Sequence, residues 1–448
     1  MLYKKDTICA ISTPPGNGAI AIIRISGEDA ITIADSFFKS KKKLTNANSH
    51  TLSFGKFINK TGKIIDEVLV SIFKAPKSYT GENMVEISCH GSNFIANNIL
   101  EVLLTKARLA NPGEFTERAF FNDKMDLTQA EAVGDLLMAK TYFSHLSAIN
   151  QLEGSIHKKI DSILKKLTAY RTLLELEIDF SEQDLPDIDM SEIRGNLINL
   201  KNELYELVEN SKKGIILKDG LKISLVGAPN VGKSSIFNKM LKTERAIVTP
   251  IPGTTRDFLE EAISLDGYLI RIFDTAGLRN TDDSIERIGI ERSYDVIQNS
   301  DIVLYITDKI NDEVERNKLL KSVEKSKIIN VFNKSDLFKD RNISSSYILC
   351  NTIKEGGLSQ LKEEIKKRID VDPNIIKNGM LSNARQLAAA QKALESIEKS
   401  IDALESDLGF EFIAFDLKEA SSALEEIIGK ITSDDILNGI FANFCIGK

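Results

Sequence analysis

The run Ile223-Ser224-Leu225-Val226-Gly227-Ala228-Pro229-Asn230-Val231-Gly232-Lys233-Ser234 constrains this chain more than any other stretch. A short apolar strand signal leads into glycines that allow a tight turn, and the residues from Ser234 onward read as helix. A strand-loop-helix unit of this kind aims loop amides and a helix N-terminus at one point, a geometry suited to phosphate oxygens. Lys233 then reaches the β and γ phosphates and the Ser234 hydroxyl ligates Mg²⁺. Asn230, Val231, Gly232, Lys233, Ser234 and Ser235 are the expected nucleotide contacts here. Strand and helix signals alternate around the loop from about Gly220 to Asp370, so the unit belongs to an α/β domain.

Further motifs follow in order. Asp274 ends the strand-like run Leu269 to Phe273 and can bind Mg²⁺ through water, and Thr275, Ala276 and Gly277 come next, with Gly277 free to approach the γ-phosphate. Asn333-Lys334-Ser335-Asp336 follows the strand signal Ile328 to Phe332. Asp336 offers two acceptor oxygens to the paired N–H groups of guanine, and Asn333 can bond the purine edge, which selects GTP over ATP. Between the first two motifs lies Thr249-Pro250-Ile251-Pro252-Gly253-Thr254-Thr255, a segment where a threonine can complete the Mg²⁺ shell and sense the γ-phosphate. Thr255 is the choice, with Thr254 the alternative. Leu278 stands where Ras-like enzymes carry the glutamine that positions water. An aliphatic side chain cannot do so, and hydrolysis must find that help elsewhere. A fifth guanine motif is degenerate, reading Cys350-Asn351-Thr352-Ile353-Lys354, and no contact is assigned to it by residue.

At 448 residues the chain exceeds one ordinary core, and about three domains are expected. The first part, 1–118, reads as mixed α/β, with strand signals at Ile20 to Ile25, Val68 to Phe73 and Met84 to Cys89. Ile156, Ile160, Ile163, Leu164, Leu167, Tyr170 and Leu174 recur at helical spacing, as do Leu387, Ala390, Leu394, Ile397, Ile401 and Leu404. The economical arrangement is a discontinuous all-α domain, 119–216 and 374–448, interrupted by the inserted α/β domain at 217–373. No run of about 18 apolar residues occurs and the start lacks a signal-peptide pattern, so a cytoplasmic protein without a membrane span is expected. Cys9, Cys89, Cys350 and Cys445 are scattered without metal-ligand spacing. A net charge of −7 argues against general polyanion affinity, so any RNA partner must be met locally. Lys41-Lys42-Lys43 reads as a solvated loop.

Arg24 and Glu86 each sit inside an apolar strand signal. An unpaired buried charge costs on the order of 3–5 kcal/mol, and the residues alone predict an Arg24–Glu86 ion pair.

Several stretches together resemble the MnmE (TrmE) family of bacterial GTPases that modify the tRNA wobble uridine. They are Thr13-Pro14-Pro15-Gly16, Ile22-Ile23-Arg24-Ile25-Ser26-Gly27, Tyr79-Thr80-Gly81-Glu82 and Asn111-Pro112-Gly113-Glu114-Phe115-Thr116. Asp126-Leu127-Thr128-Gln129-Ala130-Glu131-Ala132, Gly253-Thr254-Thr255-Arg256-Asp257 and the terminal Phe444-Cys445-Ile446-Gly447-Lys448 complete the set, and the likeness runs from Asp6 to Lys448. The resemblance places the chain in the TrmE-Era-EngA-YihA-Septin-like class, whose members carry a hydrophobic residue at the position of Leu278. It implies an N-terminal folate-binding α/β domain that dimerises, a discontinuous helical domain and an inserted Ras-like P-loop GTPase domain.

For catalysis it implies Glu286, in Glu286-Arg287-Ile288-Gly289, as the residue that orients water, beside Lys233 and Thr255. Read from charge alone, Glu286 is a solvated side chain. It implies K⁺ held by Asn230 and by carbonyls of Thr249, Ile251 and Thr254, completed when two GTPase domains meet in a homodimer. It also implies that Arg24, Glu86, Lys124 and Lys448 line a site for 5-formyltetrahydrofolate or a related tetrahydrofolate, with Cys445 nearby as a thiol nucleophile or an inert side chain. The implied partner is an MnmG-type protein carrying FAD and NADH in a heterotetramer-like complex, which with this chain adds a carboxymethylaminomethyl-type group at C5 of uridine 34 in certain tRNAs. Two rival readings are a ribosome-assembly GTPase without modification chemistry and a one-carbon transferase regulated by GTP.

Overall fold

The computed structural model describes residues 6–179, 190–243, 245–246, 260–274, 296–309, 316–317, 320–321, 323–338, 344–369, 374–377, 379–406, 408–442 and 444–448. The chain divides into two compact units, one built from Met1–Leu137, Gln151–Ile198 and Lys392–Lys448, the other from Met138–Asn150 and Asn199–Gln391.

The first unit contains a sheet of β1 (Ile8–Ile11), β2 (Ile20–Ser26), β3 (Phe38–Lys39), β4 (Thr51–Ile58), β5 (Ile64–Phe73), β6 (Met84–His90) and β7 (Arg108–Leu109). Their spatial order is β3-β4-β5-β6-β2-β1-β7, antiparallel throughout except for β1 with β7. Strand alternation sends one set of side chains into a core and the other outward. Ala21, Ile23 and Ile25 of β2, Val68, Val70 and Ile72 of β5, and Val85 and Ile87 of β6 are buried with Ile99 and Leu103 of the helix Asn93–Leu103. The opposite face carries Arg24 and Glu86 in direct register, and further along it Phe54 opposite Leu69.

The helical spacing in the sequence produces the helices Ser155–Asp179 and Ala384–Glu405. Ile156, Ile160, Ile163, Leu164, Leu167 and Leu174 are all buried, and within this unit their helix packs along Phe410–Ile428. Two sequence breaks, Asp184 to Asp187 and Val371 to Pro373, lie outside the described residues.

A buried charge cluster ties the helix Glu114–Phe121 to the sheet of this unit. Arg118, on the helix Glu114–Phe121, is 2% exposed, and its guanidinium donates to the Asp6 carbonyl at 2.6 Å, to Asp6 Oδ1 at 2.7 Å, to Glu114 Oε1 at 3.0 Å and to Glu82 at 3.2 Å. Arg108 bridges Asp6 and Glu114 from the other side, and Ser26 donates to Glu82 at 2.7 Å. Glu82 and Glu114 come from Tyr79-Thr80-Gly81-Glu82 and Asn111-Pro112-Gly113-Glu114, so those motifs hold the fold together here.

The second unit contains β8 (Leu221–Val226), β9 (Arg245–Ala246), β10 (Glu260–Leu265), β11 (Tyr268–Asp274), β12 (Ile302–Thr307), β13 (Ile328–Phe332) and β14 (Ile348–Leu349). The order is β14-β13-β12-β8-β11-β10-β9, with the first five parallel and the β9-β10-β11 edge antiparallel. β8 and β12 are apolar and buried along nearly their whole lengths, as strands covered on both faces must be. Among the described residues no helix is long and apolar enough to cross a membrane.

Arg108 and then Arg118, through hydrogen bonds, hold the Asp6 carboxyl down at about 2. Burial opposes ionisation of Glu114, but hydrogen bonds from Arg108, the Asn111 amide and Arg118 outweigh it and keep that carboxyl below its ordinary value. Carboxyls depressed in the folded state stabilise it above their unfolded values near 4, and that contribution falls away as pH drops toward 2. Arg118→Ala takes the guanidinium from Glu82 and leaves Asp6 and Glu114 with Arg108 alone, and is expected to cost about 3–5 kcal/mol in urea unfolding. Its stability deficit should shrink between about pH 4 and pH 2; an unchanged midpoint at neutral pH would refute the role given to Arg118.

Candidate functional site

The loop Gly227 to Gly232 leaves the C-terminal end of β8, at the boundary between β8 and β12 where the direction of strand order reverses. Ligands in open parallel sheets bind at such a switch point. A Cβ on Gly227 would lie 2.1 Å from the Ile306 carbonyl of β12, so a side chain is excluded there. The helix Lys233–Thr243 starts directly after Gly232, whose carbonyl accepts the Ile236 N–H at 3.0 Å. Lys233 is 8% exposed and arches back over the loop, its Nζ donating to the carbonyls of Gly227 at 2.9 Å and Ala228 at 2.8 Å. Ser234 and Ser235 occupy the first turn of the same helix.

The second sequence motif arrives from β13. The Asn333 amide N–H bonds the Thr307 carbonyl at 2.8 Å, and Asn333 itself is 1% exposed. Its Nδ2 donates to the Val231 carbonyl at 2.9 Å, while its Oδ1 is buried with no hydrogen-bond partner among the described residues. Lys334, at φ 55°, donates from Nζ to the Asn230 carbonyl at 2.9 Å and to Asp308 Oδ2 at 2.6 Å. Two consecutive side chains thus tie this turn to the phosphate loop. Asp336 follows, half-buried in the short 3₁₀ turn Ser335–Phe338. Asn230 adopts φ 64° at an exposed tip of the loop, a left-handed backbone that asparagine tolerates better than most residues.

Cys350 of the degenerate fifth motif is fully buried in the domain core, where burial pushes its thiol up to about 12. Asn351 beside it caps its own loop, accepting the N–H groups of Ile353 at 2.9 Å and Lys354 at 3.1 Å. Asp274 ends β11 beside Leu225 of β8, and its side chain lies outside the description. Thr249, Pro250, Ile251, Pro252, Gly253, Thr254, Thr255, Thr275, Ala276, Gly277, Leu278 and Glu286 lie outside the described residues.

The first unit brings a second group of predicted residues together. Arg24 Nε and Nη2 both donate to Glu86 Oε1, at 3.0 and 2.7 Å, as the two strand signals alone predict. Both donors take the same oxygen. Arg24 also donates from Nη1 to the Gly447 carbonyl at 3.3 Å and lies over the rings of Tyr79 and Phe115. A cavity of about 560 Å³ is lined by Arg24, Glu86 and Lys124, with His50, Lys77 and Tyr79. The chain end docks beside it: Ile446 bridges Pro112, the Phe115 N–H bonds the Lys448 carbonyl at 3.3 Å, and burial followed by the Arg24 charge lowers the affinity of Lys448 for its proton. Cys445 is exposed.

His50 and Lys77 also line this cavity and carry no motif of their own. Their one signal is polarity beside the strand ends that the topology brings next to Arg24.

A phosphate loop at the switch point of a parallel sheet, tied to an Asn-Lys-Ser-Asp turn, defines a P-loop GTPase domain. Residues 7–124 match the family described as GTP-binding protein TrmE N-terminus, and residues 127–445 match the MnmE helical domain. A protein of Syntrophus aciditrophicus named tRNA modification GTPase MnmE is 42% identical over 99% of this chain and 100% of its own. Proteins of the same name from Clostridioides difficile and Acetivibrio thermocellus are 40% and 38% identical over the full length of both chains. The chain belongs to the MnmE family of tRNA modification GTPases.

Gly232 has φ 94°, and a Cβ there would lie 2.2 Å from Asn333 Nδ2. Gly232→Ala should therefore break the Asn333–Val231 bond and weaken binding of a fluorescent guanine nucleotide by about 10- to 100-fold, the range expected for one orphaned buried hydrogen-bonding group. Wild-type affinity in that variant would show that the contact does not shape the loop.

Proposed function

We propose that this GTPase times a modification at C5 of the tRNA wobble uridine, working with an FAD- and NADH-using partner and a folate one-carbon unit. The observation that carries this reading is full-length similarity to relatives named for tRNA modification, from the N-terminal sheet to the terminal lysine. The division 1–118, 119–216, 217–373 and 374–448 is part of the same proposal.

Folate is supported by the cavity shared by Arg24, Glu86 and Lys124. Glu86 spends one oxygen on Arg24, and a carboxylate with a second oxygen to offer suits the adjacent N–H donors of a pterin edge. Lys448 stands at the chain end beside Arg24, and a bound folate would supply the one-carbon unit. Cys445 is exposed, which leaves open the thiol role proposed for it.

In the GTPase domain, Lys233 and Ser234 would hold the phosphates and Mg²⁺, with Thr255 and Asp274 completing the ion's surroundings. Asp336 would read guanine and Glu286 would orient water in place of Leu278. K⁺ would sit against Asn230, whose exposed position at the loop tip and Lys334-anchored carbonyl suit a shared ligand. Such a cation offsets charge that develops between the β and γ phosphates.

Homodimerisation is supported by the outer face of the N-terminal sheet. Leu52, Phe54 and Leu69 are 60, 64 and 40% exposed and adjoin one another on β4 and β5, an apolar patch that a second copy would cover.

Two measurements test these proposals. Wobble nucleosides of tRNA from a strain lacking the protein should lose the C5 substituent; unchanged nucleosides would favour the ribosome-assembly reading. GTP turnover should be at least about tenfold faster in potassium than in sodium, and Asn230→Ala should erase that difference. Equal rates in the two salts would remove K⁺ from the mechanism.

A further inference from the structure

A second cavity, of about 730 Å³, opens in the first unit where the helix Glu114–Phe121 ends, Ser155–Asp179 begins and Phe410–Ile428 ends. Lys124 lines both this cavity and the one that holds Arg24 and Glu86, so the two share a wall. Nothing in the GTPase chemistry or in the folate reading uses it.

Its lining has two chemically different parts. Phe120, Met125 and Leu437 form an apolar side, and the rings of Phe120 and Phe121 lie 5.5 Å apart at 53°. Phe121 is 38% exposed, which makes it a surface on which a flat ring can stack. The other side is charged: Lys158 stands on the first turn of a 25-residue helix and Lys430 just past the end of another, 3.8 Å from Asp161, and the exposed carboxylates of Asp123 and Glu153 line the same cavity. A helix N-terminus adds partial positive charge beside Lys158.

Two polar atoms around the cavity want partners. Thr432 Oγ1, in the lining, and Ser155 Oγ, next to the lining residue Gly154, are buried without a hydrogen-bond partner among the described residues. Of the carboxylates in the lining, Asp126 is held within the fold: it accepts from Thr128 at 2.6 Å and from the Gln129 N–H at 3.0 Å, and its Oδ2 lies 2.9 Å from His157 Nδ1.

We propose that this cavity receives a single nucleotide of an unpaired RNA strand, with the base against Phe120 and Phe121 and its phosphate at Lys158, Lys430 and the helix start. Stacking on aromatic rings, with lysines placed to meet the phosphate, is how unpaired bases are held, and a chain of net charge −7 must meet RNA through a local site of this kind. The inference rests on the tRNA-modification reading and deepens it, because the shared Lys124 wall places the bound nucleotide next to the proposed one-carbon donor.

The test uses the full-length chain and an anticodon stem-loop RNA carrying 5-bromouridine at the wobble position. Irradiation should crosslink that uridine to the peptide containing Phe120, Phe121 and Met125. Phe121→Ala should weaken binding of the RNA by about tenfold. Lys158→Glu and Lys430→Glu should each weaken it and lower the dependence of affinity on salt by about one counterion. Guanine-nucleotide affinity and the melting temperature should stay at wild-type values in all three, since these side chains lie on the surface of the other unit. Crosslinks found only elsewhere, RNA affinity unchanged in all three variants, or no binding by the wild-type chain would each overturn the proposal. The modification reading itself is decided separately, by the wobble nucleosides of the deletion strain.

Discussion

Gly232 and Asn333 approach so closely that only a hydrogen atom fits at the glycine, and the nucleotide site depends on that approach. The phosphate loop is held open by β12 beneath Gly227, by Lys233 spanning its first two carbonyls, and by Asn333 and Lys334 on the carbonyls of Val231 and Asn230. The turn that carries the proposed guanine-reading residue, Asp336, is therefore part of the scaffold of the phosphate loop. Base and phosphate recognition share one set of hydrogen bonds, and disturbing either end should be felt at the other.

The first unit follows a different rule. Its sheet buries one face in an ordinary apolar core, and the chain's two ends are fastened on the far side by charge. Arg118 gathers Asp6, Glu82 and Glu114, while Arg24 takes Glu86 and the carbonyl of Gly447. A chain end pinned in this way sits beside a cavity lined by positions 24, 86 and 124, and Lys448 is not among the lining residues. The apolar outer patch at Leu52 and Phe54 lies on the same face of the sheet as Arg24 and Glu86, so cover by a second copy would alter the surroundings of that cavity.

Periodicity and local motifs were legible in the sequence because their cause is local. The strands at Ile20, Val68 and Met84, the helix from Ser155 and the strand-loop-helix around Gly227 follow from side-chain alternation and glycine placement within a few residues. The Arg24–Glu86 pair was also legible, since two charges inside apolar strands need each other. What escaped was set by topology. Arg118 and Asp6 stand 112 positions apart, and nothing in Tyr79-Thr80-Gly81-Glu82 announces that its glutamate is spent inside the fold. The bond from Asn333 to the Val231 carbonyl is likewise set by topology, because it exists only where β13 lies beside β12. The cavity at Phe120 and Lys158 joins three segments far apart in the chain and left no trace in any of them.

The dependence of the phosphate loop on Asn333 is the claim most open to a direct test. Inorganic triphosphate has no base, so its affinity, measured by competition against a fluorescent nucleotide, reports the loop alone. Asn333→Ala should weaken triphosphate binding by about tenfold, in proportion to the loss of one buried hydrogen bond. Triphosphate affinity left at the wild-type value, with only guanosine nucleotides affected, would contradict the account and return Asn333 to a purely base-reading role.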